Sequence, residues 1–269
     1  MVKSLLLRAA IPLFVIAFSF ALNGCEKKET TTTATPIPSP SPSATVAVFP
    51  TPTPAPPLTG SFRPASVLQT EESIAHYLHF PEGESDHDSV AQFYCDISEE
   101  GVVEATYGVI GKDTPFRTAV QSALDWGHFA PAMVNGHAVA AYLGGTVVFA
   151  HQNGAPVVGV ILATYGDERI RKMANFVQPQ LIGGLRPEIE KLFRRIPQGI
   201  PPGGWARVVV KVDARGEVTG VSGMTEIPKG SGLGNILRDA VAGAQFTPAY
   251  DNGKPVPGEI DVVANFAQL

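Results

Sequence analysis

The sequence predicts an α+β protein of two tandem small domains, each a three-stranded antiparallel sheet packed on two helices, behind a disordered Pro/Thr-rich linker. Two observations carry that expectation. The first is an internal repeat whose landmarks keep both order and spacing, which chance would not preserve. Phe80-Pro81-Glu82-Gly83 matches Ile196-Pro197-Gln198-Gly199 at an offset of 116, and Gly101 matches Gly216 at 115. Phe129-Ala130-Pro131-Ala132 matches Phe246-Thr247-Pro248-Ala249, and Asn135-Gly136 matches Asn252-Gly253, both at 117. The second is the hydrophobic periodicity, which reads helix, strand, strand, helix, strand in each copy.

A helix precedes each shared Pro-x-Gly. In the second copy it opens with Pro187 and puts Ile189, Leu192, Phe193 and Ile196 on one face. In the first, Thr70 is placed as N-cap, with Glu71 and Glu72 in the first turn where the helix dipole favours acids. Two strands follow. Phe93, Cys95 and Ile97 alternate with Gln92, Tyr94 and Asp96, as Val208, Val210 and Val212 alternate with Arg207, Val209 and Lys211. Their hairpin turns are Ser98–Gly101 and Asp213–Gly216, with glycine supplying a positive φ. The second helix carries Phe116, Ala119, Val120, Ala123 and Leu124 on its apolar face. Leu233, Ile236, Leu237, Ala240 and Val241 reproduce that face 117 residues on. Gly127 and Gly243 stand where these helices end. A closing strand is expected near Gly145–His151 and again near Glu259–Phe266.

One element has no counterpart. The first copy continues through Asn153-Gly154, a strong hairpin signal, into the β-prone run Pro156–Thr164. That strand should occupy the outer edge of the first sheet. The second copy, with no such extension before Leu269, should leave Ile260, Asp261, Val262, Val263, Ala264, Asn265 and Phe266 as an open edge able to bind a partner strand. The domains are accordingly drawn at 60–165, including the extra hairpin strand, and 166–269.

Ahead of them, residues 1–24 have the build of an export signal: Lys3 and Arg8, an apolar run from Ala9 to Leu22, then Leu22-Asn23-Gly24-Cys25. The run is shorter than the roughly 20 apolar residues of a membrane span. Its last four residues resemble a bacterial lipobox, which implies lipidation of Cys25 and anchoring in a membrane by acyl chains. An uncleaved signal anchor with an incidental cysteine is the competing reading. Residues 25–59 form a tether. Thr30–Leu58 holds nine of the chain's 24 prolines, and so little apolar surface cannot offset the entropy of ordering.

Composition narrows the function classes. Twenty Lys+Arg against 25 Asp+Glu give a net charge of −5, which argues against nucleic acid as a partner. With Cys25 acylated, Cys95 has no second cysteine in the chain, so no disulfide framework exists. His76, His79, Asp86, His87 and Asp88 lie close in sequence, but His87 falls in a loop beyond Pro81, and solvated side chains are the expectation over a metal. No Gly-x-Ser-x-Gly elbow accompanies His128, His137 or His151. Gly230-Ser231-Gly232-Leu233-Gly234 has the look of a phosphate loop, but neither the dinucleotide nor the P-loop spacing is met, and a flexible helix entry is expected. Cys95 is placed as a buried apolar residue and Trp126 as a lid on the core. No catalytic residues, cofactor or metal are therefore expected, and an exported hydrolase is the outlying alternative.

The second copy resembles the TonB C-terminal domain family. The likeness rests on Trp205–Val218, Leu237-Arg238-Asp239-Ala240-Val241, Phe246-Thr247-Pro248-Ala249 and Asn252-Gly253-Lys254-Pro255-Val256-Pro257-Gly258, and spans about 176–269. The first copy, about 62–151, is a more distant likeness that keeps Gly101, Phe129, Pro131, Asn135 and Gly136. The resemblance implies a periplasm-facing, non-enzymatic module that binds a protein segment by strand addition, with a possible link to outer-membrane transport. A lipobox replaces that family's membrane-spanning anchor, so proton-motive coupling is not implied. Glu26 after Cys25, by analogy with lipoprotein sorting, points to the outer membrane. The alternative is a structural envelope lipoprotein that binds the cell wall or a neighbouring protein.

Overall fold

A computed structural model describes residues 60–84, 86–164, 175–193 and 203–267. The expected export signal, Cys25, the expected tether and the Ile196–Gly199 landmark lie outside the described residues. What is described is mixed α and β, dominated by strands in several small sheets. The first repeat contains β1 (Phe62–Arg63), β2 (Ser66–Val67), α1 (Ile74–Tyr77), β3 (Ser89–Ile97), β4 (Val103–Gly111) and α2 (Thr114–Trp126). It continues through β5 (Phe129–Ala130), β6 (Ala132–Val134), β7 (His137–Val139), β8 (Ala141–Gln152) and β9 (Ala155–Ile161). The second contains β10 (Phe176–Val177), β11 (Leu181–Ile182), α3 (Leu185–Phe193), β12 (Trp205–Val212), β13 (Val218–Ile227), α4 (Leu233–Ala242), β14 (Ala249–Asp251), β15 (Lys254–Val256) and β16 (Gly258–Asn265).

The two copies pair their strands alike. The first sheet runs β4-β3-β8 and the second β13-β12-β16, every pair antiparallel. Smaller sheets β1-β6-β7 and β10-β14-β15 also correspond. Their tight turns are the repeated Asn-Gly pairs, with φ of 52° and 80° at Asn135-Gly136 and 49° and 76° at Asn252-Gly253. The turn glycines explain why two landmarks recur together. Gly101 has φ 84°, and a Cβ there would come 1.8 Å from the Phe129 carbonyl oxygen. Gly216 has φ 86°, and its Cβ would come 2.3 Å from that of Phe246. The β-turn and the Phe-x-Pro-Ala strand touch, so the one demands glycine of the other.

The apolar helix faces pack as their periodicity requires. Phe116, Val120, Ala123 and Leu124 are buried in the first repeat, and Leu233, Ile236, Leu237, Ala240 and Val241 in the second. The first helix is shorter than its sequence pattern suggests. It spans only Ile74–Tyr77, and its N-cap is Ser73, whose hydroxyl accepts from the Ala75 N–H at 3.1 Å, instead of Thr70. The helix ahead of the second sheet begins at Leu185, two residues before Pro187. Trp126 is no lid: at the last position of α2 it is 71% exposed.

The larger difference is that the repeats are not separate small domains. All described residues belong to one compact unit. The face of the first sheet opposite Phe93, Cys95 and Ile97 is interior as well: Tyr94, Asp96, Tyr107 and Tyr142 are buried there. The three tyrosines lie in the same apolar cluster as Val208, Leu237 and Val262 of the second repeat. Both faces of β3 are therefore covered, which its alternation of large apolar with Gln, Tyr and Asp did not suggest. The chain between the repeats also crosses over: Leu181 and Ile182 of β11 pair with Tyr142 and Ala141 of β8.

Candidate partner-binding edges

The closing strand β16 lies at one side of its sheet, and among the described strands β12 is its one ladder partner. Its register sets Asp261 opposite Val209 and Val263 opposite Arg207. The backbone groups of Asp261 and Val263 point away from β12, which is the arrangement an added strand would use. In this molecule the first repeat has taken that position. The Val263 N–H donates to Tyr142 Oη at 2.7 Å, and the same hydroxyl lies 3.4 Å from the Asp261 and Val263 carbonyl oxygens. Ile260, Val262, Val263, Ala264 and Phe266 are buried. Asp261 forms a two-oxygen pair with Arg207, its Oδ1 and Oδ2 each 2.8 Å from Nη2. Asn265 turns its amide oxygen to the Ala267 N–H at 3.1 Å. The expectation that Ile260–Phe266 stands open is thus corrected: a single phenol and its aromatic neighbours cover the middle of that edge. Burial pushes the Tyr142 hydroxyl well above the ordinary tyrosine range, so it stays protonated and serves the edge as acceptor and donor at once.

The first repeat shows what normally fills that place. On β8, Thr146 pairs with Ile161 and Val148 with Gly159, so β9 runs along the outer side of β8 from Thr146 to Gln152. Asn153 (φ 54°) and Gly154 (φ 78°) make the two-residue turn. β9 is now the outermost strand, and among the described residues it pairs with β8 alone. In a two-residue hairpin the closing pair, here Gln152 and Ala155, is hydrogen-bonded, so the backbone groups of Pro156, Val158 and Val160 point outward. Proline at 156 fits this: its missing N–H falls on the unpaired side. Ala155, Pro156, Val157 and Gly159 are exposed, and no residue of β9 carries a charge.

The other outer strands differ. β13 has register breaks opposite Arg207/Val209 and Lys211/Val212, and β4 has them opposite Tyr94/Cys95 and Asp96/Ile97. Such bulges twist an edge away from pairing. They also seat Tyr107 in the shared core.

The remaining sequence candidates resolve individually. Glu226 fills the glycine loop: its carboxylate accepts from the Gly230 and Gly234 N–H groups, both at 2.8 Å, and those bonds hold it below the usual glutamate range. The expected flexible helix entry is thus tied down by the protein's own carboxylate. Glu84, Asp86 and His87 bring their ligand atoms within 4.8 Å of one another in an exposed loop, while His76 and His79 take no part. The His87–Asp86 contact of 2.8 Å raises the imidazole and lowers the carboxyl. Asp88 instead reaches His151, with Oδ1 2.8 Å from Nδ1. Cys95 is fully buried, which pushes its thiol up and away from reactivity.

What the sequence did not signal is the polar seam between repeats. Asp96 accepts from the Leu185 and Arg186 N–H groups at 2.8 and 3.0 Å and from the Tyr107 hydroxyl at 2.7 Å. A side chain of the first repeat thereby caps a helix of the second. Gln180 accepts from the Ala65 N–H at 2.7 Å and donates to its carbonyl at 3.0 Å, imitating a strand partner. Gln178 does the same with the Thr164 N–H and the Gly144 carbonyl. Comparison with family models, with curated proteins and with solved structures returns no match.

Proposed function

We propose that this chain is a lipid-anchored, periplasm-facing envelope protein whose two TonB-like repeats make a non-catalytic module that takes up an extended segment of an envelope polypeptide by strand addition. The observation that carries this reading is β9: an outermost, unbulged, uncharged strand whose outward groups at Val158 and Val160 are set for another ladder. Strand addition draws affinity from such main-chain bonds. The resemblance of residues 176–269 to the TonB C-terminal family supports the same mode. The seat of binding moves from β16, where the resemblance alone would put it, to the strand that only the first repeat possesses. Cys25 would hold the module to the membrane, the outer one by the Glu26 analogy, and a connection to outer-membrane transport rests on the resemblance alone.

The test is photo-crosslinking in intact cells. A photoreactive phenylalanine analogue at Val157, which is 39% exposed on β9, should give an adduct with an envelope polypeptide in the membrane fraction. Val160→Pro, which removes an outward donor, should abolish the adduct. Cys25→Ser should remove it from the membrane fraction. A membrane-bound protein that yields no adduct overturns the strand-addition reading.

A further inference from the structure

We infer that the strand β9 takes up is β9 of a second copy of this chain. The inference rests on the strand-addition reading above and names its partner.

When a strand pairs antiparallel with its own copy, residues equidistant from the two-fold axis face each other. A charge on such a strand meets the same charge within a few residues, and like charges directly opposite are destabilising. The longer outer strands of the two larger sheets divide on that point. β4 carries Glu104, β13 carries Glu226, and β16 carries Glu259 and Asp261. β9, Ala155-Pro-Val-Val-Gly-Val-Ile161, carries none. A different partner could match a charged edge with opposite charge, whereas an edge that pairs with its own copy is best served by none.

The outward groups fix the register. Pro156 has no donor, and the Leu162 carbonyl already accepts from the Gln178 N–H at 3.0 Å. Full pairs are left to Val158 and Val160 alone. Setting Val158 against Val160 of the second copy, and the reverse, forms about four main-chain bonds with the axis at Gly159. Setting Val158 against itself also gives about four bonds but only one complete pair, because Pro156 then faces Val160 without a donor, whereas the Val158–Val160 register keeps two complete pairs. In the preferred register Val157 lies beside Ile161 of the second copy. A Cβ built on Gly159 meets nothing within 4 Å, so a side chain can be placed at this position. The first sheet then continues through the axis into its copy, β4-β3-β8-β9 meeting β9-β8-β3-β4. A strand this short gives weak association in solution. Confinement of both copies to one membrane surface raises their effective concentration and makes the pairing favourable.

The experiment is oxidative crosslinking of the full-length protein in membranes. In the proposed register the two residues at 159 form a non-hydrogen-bonded pair with Cα atoms about 4.5 Å apart, inside the disulfide range of roughly 4.4–6.8 Å. Gly159→Cys should give a dimer on a non-reducing gel, and Val157→Cys, offset from its own copy, at least about tenfold less. The native Cys95 is buried and does not compete. Val158→Pro in the Gly159→Cys background should reduce the dimer about tenfold, the effect of losing a bond or two near 1 kcal/mol each. Equal crosslinking at 157 and 159, or none at 159, overturns the inference. If 159 gives no dimer while the Val157 photo-crosslinker captures a different envelope polypeptide, self-pairing fails and strand addition stands. If neither captures anything, both fail.

Discussion

Asp96 is the residue on which the seam turns, and its chemistry makes it sensitive to pH. Burial raises its pKa, and the Leu185, Tyr107 and Arg186 donors oppose that rise without cancelling it. A carboxyl whose folded pKa lies above its unfolded value holds its proton more tightly when folded. Its contribution to stability is complete below the ordinary carboxylate range and is lost as pH rises through the raised value. Urea denaturation across that interval should show stability falling with pH on account of Asp96, and Asp96→Asn should flatten the slope. Asp96→Ala should cost roughly 2–4 kcal/mol, from the lost cap and the orphaned Tyr107 hydroxyl together. At this scale local sequence is an uneven guide. The turn glycines and buried Cys95 followed from local rules, because their environment is made by neighbours in the chain. Asp96 stood in the sequence only as a member of the alternating pattern, because what buries it lies about ninety residues away.

Among the elements, the strands at the edges of the sheets decide what the molecule can bind. β8 and β16 are equivalent, and both have their outer sides occupied, one by β9 and β11, the other by the Tyr142 hydroxyl. Tyr142→Phe should therefore leave the Val263 N–H buried without an acceptor, costing about 1–3 kcal/mol. Hydrogen exchange should report it as lost protection at the Val263 amide. The variant should gain no partner at β16, because β11, Asp96 and Gln180 still hold the repeats together. Element type was legible wherever periodicity was long: β3, β12, α2 and α4 fall on their patterns. The two-residue strands β1, β2, β10 and β11 were not, since pairs of residues carry no period. The β6–β7 and β14–β15 hairpins had a signal, the Asn-Gly turns, that served only as a repeat landmark.

At the scale of the whole molecule, the described parts of both repeats belong to one compact unit. A fragment of residues 176–269 has the strands and helices of a complete repeat, and the sequence alone suggests that it folds by itself. Its apolar cluster, however, counts Tyr94, Tyr107 and Tyr142 among its members, and its β11 pairs with β8. The isolated fragment should lack a cooperative urea transition, or unfold at a much lower midpoint than the full chain, and adding back residues 60–165 should restore the transition. The sequence by itself determined the repeat, the order of elements, the hairpin that adds β9, and the apolar faces of α2 and α4. Each depends on residues a few positions apart or on a pattern written twice. Only the tertiary structure decided that both faces of the first sheet are interior, that Tyr142 covers β16 and that β9, among the described strands, pairs on one side only. Burial of a face depends on what docks against it, and the polar signature of Tyr94, Asp96 and Tyr142 is the same whether water or a second repeat satisfies their hydrogen bonds.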